Sequence, residues 1–280
     1  MPHRPVVLYP SSANNVPGLK VASKRSRINN SKPPARSGTA SDADLIVVHS
    51  SDLHVDDEYT AQLNGGDGTR GLRCVLETAR AAAADVVVLA GDVFEHNRLP
   101  LKLIERAARL LEDAAMPVVI LPGNHDPAIA ESVYHRGRVA EPANVHVLGV
   151  TCDDSVVFPE LELEIWGRAH RDYDDMAPLG KSRKRSTRWQ IAMAHGHYEP
   201  APDMETMLRP SWLISDAEIA ATGADYVALG HWNRAVRVGN GAVPAYYSGS
   251  PDLARTVNVV RLKATGSVRT RHRKIQWDPA

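Results

Sequence analysis

From Asp44 onward, short apolar runs alternate with stretches whose apolar positions recur every three or four residues. Leu45-Ile46-Val47-Val48-His49 is one such run, too short for a helix, and reads as a buried strand. Residues 71–84 carry Leu72, Val75, Leu76 and Ala79 at helical spacing. Residues 86–90 form a second apolar strand ending in Gly91-Asp92. Pro100 then opens a helix to about residue 115, with Leu101, Ile104, Ala108 and Leu111 on one face. Residues 117–121 make a third strand, followed by Gly123-Asn124-His125-Asp126. Three strand–loop–helix units in succession predict an α/β fold with parallel strands.

The second half is richer in strand. Patterns at 145–148, 155–158, 161–166, 189–194, 226–229, 236–238, 245–247, 256–262 and 267–275 are extended. Ser215-Asp216-Ala217-Glu218 has the spacing of a capping box and Gly223 that of the matching stop, which isolates one short helix before Tyr226. The polar stretch 168–188, with Lys181, Arg183, Lys184, Arg185 and Arg188, reads as an exposed loop. Arg269, Arg271 and Arg273 alternate, as on the solvent face of an edge strand. His49 packs in or beside the first strand, and His170 reads as a surface residue, with a substrate-facing role as the alternative.

Charge changes the picture at one end. Lys plus Arg and Asp plus Glu each total 33 in 280 residues, so the net charge is zero. Residues 1–41 hold seven basic residues, no acid and six of the 19 prolines, which leaves the remainder at −7. Residues 1–43 are therefore read as a disordered basic tail and 44–280 as the folded domain; an upstream extension and an arm touching nucleic acid are the alternatives. Cys74 and Cys152 alone exclude a disulfide framework. No apolar run approaches a membrane span and no secretory h-region opens the chain, so a soluble cytoplasmic protein is expected.

Candidate chemistry sits at five strand ends: Asp52-Leu53-His54, Gly91-Asp92, Gly123-Asn124-His125-Asp126, His195-Gly196-His197 and Gly230-His231-Trp232-Asn233. In α/β sheets the carboxyl ends of strands share one edge, where ligands bind. Asp, His and Asn offer oxygen and nitrogen ligands for divalent cations, and no thiolate competes. Asp92 is the carboxylate placed to bridge two ions. The glycines at 91, 123, 196 and 230 permit close backbone approach.

These five motifs, in this order, resemble the calcineurin-like metallophosphoesterase superfamily. Within it, Asp225-Tyr226-Val227-Ala228-Leu229-Gly230-His231 and Tyr247-Ser248-Gly249-Ser250-Pro251 resemble the DNA-repair exonuclease (SbcD-type) branch. The resemblance implies a four-layer α/β/β/α sandwich. It implies a site for two divalent ions, Mn²⁺ first, with Fe²⁺, Zn²⁺ or Mg²⁺ as alternatives. Asp52 and His54 would hold the first, Asp92 would bridge, and Asn124, His195 and His231 would hold the second. His125 would act as an unligated proton donor or charge stabiliser, oriented by Asp126. The implied nucleophile is a metal-bound hydroxide attacking phosphorus in line.

Two positions depart from that family's pattern. Asn233 stands where a last histidine is usual, so it would give the first site an amide oxygen as its further donor, or else it is a turn residue. Glu95, followed by His96, stands three residues after Asp92, where the nucleases often carry histidine. The reading is a phosphodiester hydrolase, with DNA exonuclease as the first choice of substrate. A small-molecule (cyclic nucleotide) phosphodiesterase or phosphatase is the second. A regulatory metal-binding protein with a weakened first site is the third. Nothing in the sequence supports an ATPase partner.

Overall fold

The computed structural model describes residues 43–180, 182–202, 204 and 210–277. The stretch read as a basic tail lies outside them, apart from Ala43, as does Lys181. In chain order the elements begin with β1 (Leu45–Ser50), α1 (Tyr59–Leu63), α2 (Arg70–Ala81), β2 (Val86–Ala90), α3 (Leu101–Glu112), β3 (Val118–Leu121) and β4 (Val145–Val147). They continue with β5 (Ser155–Phe158), β6 (Leu163–Gly167), β7 (Trp189–His195), β8 (His197–Tyr198), β9 (Leu213–Ile214), α4 (Asp216–Ala221) and β10 (Tyr226–Gly230). The last are β11 (Val236–Val238), β12 (Ala245–Tyr247), α5 (Pro251–Ala254), β13 (Thr256–Leu262) and β14 (Val268–Lys274).

Two six-stranded sheets carry the fold, in the orders β14-β13-β1-β2-β3-β4 and β11-β12-β10-β7-β6-β5. From β1 to β4 the strands are parallel, as are β6, β7, β10 and β12. Strands β1, β2 and β3 are buried on both faces, which is why they read as unbroken apolar runs. Alternate side chains serve different layers. Val48, Val87, Leu89 and Ile120 pack under Leu72, Val75, Leu76, Ile104 and Leu111 of α2 and α3. Val47, Val86, Val88 and Leu121 meet Ile165, Ile191, Met193 and Ala228 of the second sheet. Ala192, Ala194, Val227 and Leu229 face outward against Ile214 and Ile219, so α4 covers that side. The order of layers is helix, sheet, sheet, helix, the four-layer α/β sandwich expected.

A polar contact ties the sheets together. His49 Nδ1 of β1 lies 3.0 Å from Tyr226 Oη of β10, and Asn258 of β13 joins both. His49 is fully buried, and burial pulls its imidazole down to about 3.

Candidate metal centre

The five strand ends converge on one edge, three of them through a conformation few side chains adopt. Asp52, His54, Asp92 and His231 all have positive φ, between 46° and 104°. Two glycines make the crowding feasible. A Cβ on Gly91 would lie 2.1 Å from His195 Nδ1, and one on Gly123 would lie 2.2 Å from Asp92 Oδ1. The first brings β2 of one sheet against the side chain that ends β7 of the other.

Three groups of potential ligands result, each with donor atoms within 4.8 Å of one another: Asp52–His54–Asp92, Asp92–His195–His231, and His54–Glu95–His125. Asp92 belongs to two of them. His195 Nδ1 donates to the Ala90 carbonyl at 2.9 Å, which fixes the tautomer and turns Nε2 toward the site. That Nε2 lies 3.0 Å from Asp92 Oδ2 and 3.1 Å from Asn124 Oδ1. Asp52 accepts from the His231 backbone N–H and from Ser51 Oγ, which in turn meets Ser248 Oγ at 2.9 Å. The Tyr247–Pro251 motif thus supports Asp52. The donor set is oxygen and imidazole nitrogen, which suits divalent first-row ions and Mg²⁺. Asn233 is exposed beyond β10, in none of the described hydrogen bonds.

Burial works against a charged His195, but the adjacent Asp92 carboxylate outweighs it and raises the imidazole to about 9, so the cluster draws positive charge to itself. Burial raises Asp52 to about 6, with Asp92 adding to the rise. Burial also pushes Asp92 up, but the charge and hydrogen bond of His195 outweigh it and hold Asp92 well below the usual carboxylate range. Burial, then the charge of His195, brings His231 down to about 4. His125 is raised to about 9, chiefly by the Glu95 carboxylate. Glu95 is correspondingly lowered to about 2 by its bonds to His125 and His54.

Glu95 is the site residue that sequence reasoning passed over. Its Oε2 lies 2.7 Å from His54 Nδ1 and its Oε1 3.4 Å from His125 Nδ1. The Glu95 carbonyl also takes His125 Nδ1–H at 2.9 Å, which leaves His125 Nε2 outward. Asp126, expected to orient His125, is engaged elsewhere. Its oxygens accept from Gly123 N–H, Phe94 N–H and Tyr134 Oη, all within 3.0 Å, so it holds the loop's shape. The His125 backbone N–H donates to Asp92 at 2.9 Å.

His170 departs from its surface assignment. It is fully buried, its Nε2 donates to the His195 carbonyl at 2.9 Å, and its ring packs edge-on against Trp212. His197 Nδ1 accepts from Trp232 Nε1 at 3.2 Å. In the basic loop, Arg183 pairs with Glu164 and Arg185 with Asp225, each at 2.6 Å.

A two-sheet α/β sandwich with carboxylates, imidazoles and an amide gathered at one edge defines a metal-dependent phosphoester hydrolase. Residues 45–234 match the calcineurin-like phosphoesterase family, and the chain belongs to that family. The DNA double-strand break repair protein Mre11 of Aeropyrum pernix is 26% identical over 203 residues, 66% of this chain and 48% of its own. The SbcD component of the nuclease SbcCD of Escherichia coli K12 is 30% identical over 85 residues, 29% of this chain and 21% of its own. The chain spans about half or less of those relatives' length. The crystal structure of TT1561 of Thermus thermophilus superimposes with a TM-score of 0.52 over 81% of this chain and 98% of that one, at 13% identity, a likeness of fold. Among the described residues no helix is long and apolar enough to cross a membrane.

Proposed function

We propose that this chain is a two-metal phosphodiesterase acting on DNA. The observation that carries the reading is Asp92, a buried carboxylate shared by two ligand groups. Asp52 and His54 would complete one site, with Asn233 as a further oxygen donor; Asn124, His195 and His231 would complete the other. The oxygen-rich first site favours Mn²⁺ or Mg²⁺ over softer ions. When bound, two divalent ions would supply charge neutralisation for a phosphate and a more acidic water, with a pKa toward about 7.

The chain's own groups do the rest. Asp92 and Asp52, both buried, hold negative charge at the sheet edge and orient by backbone N–H bonds from His125 and His231. His125 presents Nε2 outward and carries the proton for the departing oxygen; Glu95 keeps that proton in place. The Mre11 and SbcD likenesses support a phosphodiester of DNA as the substrate.

Hydrolysis of bis-p-nitrophenyl phosphate and of linear DNA is expected with Mn²⁺, and EDTA is expected to abolish both. Turnover of the small ester without DNA cleavage would favour a small-molecule phosphodiesterase. No turnover with any divalent ion would overturn the enzymatic reading.

A further inference from the structure

The strongest feature outside the metal centre is the charge on the last hairpin. Residues 256–275 contain six Lys or Arg and no Asp or Glu, whereas the rest of the chain from 42 onward has 20 basic and 33 acidic residues. Strand β14 is the edge of the first sheet, and Arg269, Arg271 and Arg273 are exposed along it. They share one face. Arg273 Nη1 donates to the Ala81 carbonyl at the end of α2, while the intervening His272 faces Tyr246 of the other sheet. Arg261 of β13 lies directly opposite Arg269. Like charges placed opposite each other across a strand pair repel, so the hairpin keeps an unfavourable pair that a bound anion would relieve.

The local compensation is slight. Asp44 sits 3.2 Å from Arg261 and, among the described residues, is the only acid bordering the groove of about 720 Å³ that Arg261, Lys263, Arg269, Arg271 and Lys274 help line. Direction matters too. Thr256 pairs with Lys274, and Asn258 pairs with His49 of β1, the strand that leads into Asp52. The basic row therefore starts level with the metal-centre edge and runs along β14 to the opposite edge. It lies two strands, about 10 Å, to the side of β1.

We infer that the β13–β14 hairpin is a binding surface for a nucleic-acid backbone, distinct from the metal centre and able to hold a strand that continues toward it. A row of guanidinium and ammonium groups at alternate positions, about 6.6 Å apart, suits a row of phosphates. A lipid surface fits less well, because among the described residues none of the exposed large apolar side chains lies on this hairpin. The basic 181–188 loop is a weaker candidate, since Glu164 and Asp225 already take two of its guanidiniums. The choice of DNA as the polyanion rests on the proposed function; the surface itself does not.

The test uses the full chain and the double variant Arg269→Gln/Arg271→Gln, whose side chains are exposed on an edge strand and leave the core intact. Affinity for a fluorescein-labelled DNA single strand is measured by anisotropy across a salt series, beside Mn²⁺-dependent hydrolysis of bis-p-nitrophenyl phosphate. The variant is expected to bind about tenfold more weakly at about 0.1 M salt. Its log–log salt slope should be shallower by about 1.4, about 0.7 for each phosphate no longer neutralised. Hydrolysis of the small ester should be unchanged. Unchanged DNA affinity and slope would overturn the surface, even if the wild type cuts DNA. Binding to phosphatidylserine vesicles but not to DNA would overturn it as well. Salt-sensitive DNA binding abolished in the variant, from a wild type that cuts no DNA, would uphold the surface and sink the nuclease reading alone.

Discussion

Glu95 touches two histidines that serve different ends. On one side it fixes His54, a ligand of the first proposed site; on the other it holds His125, the proposed proton donor. A carboxylate behind a ligating imidazole fixes its orientation and raises its basicity, and removing such a partner commonly costs on the order of 10–100-fold in metal affinity or activity. Glu95→Gln should therefore lower kcat on bis-p-nitrophenyl phosphate by about tenfold. It should also move the alkaline limb of the rate profile. His125 acts protonated, so activity falls as pH rises through its pKa; without the Glu95 charge that pKa drops from about 9 toward the ordinary imidazole value near 6.5. A pH–rate series on both proteins reads the shift, and an unmoved limb would remove His125 from the role of acid. At this scale the sequence was only half legible. Asp52, Asp92 and His195 could be picked out because motif and strand end coincide. Glu95 was visible only as an unusual residue after Asp92, since its two partners are 41 and 30 positions away. Asp126 differs for a related reason: adjacency to His125 in sequence does not say which way a side chain turns, and donors from Gly123, Phe94 and Tyr134 claim it first.

Strands and their exit turns set what the site can be. Gly91 combines a φ of +88° with a Cβ position already filled by the His195 ring. Gly91→Ala adds a methyl group that only a shift of β2 against β7 can accommodate. That variant should lose divalent-ion binding by calorimetry, and it should unfold at a denaturant concentration well below the wild type. Normal ion binding in Gly91→Ala would mean that the sheets have slack at this edge. Most elements were legible because their signals are local. The runs behind β1, β2 and β3 are apolar on both faces, and the Ser215 capping box forms with both of its reciprocal hydrogen bonds. Pro100 precedes α3 as its cap, one position outside the helix expected to begin there. The short elements α1, α5, β8 and β9 were not legible. Two to five residues are too few to show a period, and tertiary contacts hold them. The burial of His170 is not legible for the same reason: the rings packed against it, His195 and Trp212, lie far along the chain.

At the scale of the whole molecule, the two sheets contribute the proposed ligands jointly. Asp52, His54, Asp92 and Asn124 follow strands of the first, while His195 ends β7 and His231 follows β10 of the second. Ions bound across that seam should stabilise the native state alone. At a hundredfold excess over Kd the gain is about 2.7 kcal/mol for each site filled, which for a domain of this size raises Tm by about 5–10 °C per site. Thermal melts with and without Mn²⁺, reversed by EDTA, measure it; an unchanged Tm would argue against occupancy across the seam.

The nesting of His195 over Gly91 has a consequence for how the protein comes into being. The ring can reach the Ala90 carbonyl and the Asp92 carboxylate only after the halves have docked. A nascent or partly unfolded chain therefore owns all the residues of a hydrolase and none of its reactivity. Docking of the two sheets is therefore what would arm the centre, and a chain whose sheets stay apart would carry every proposed ligand without a place for an ion.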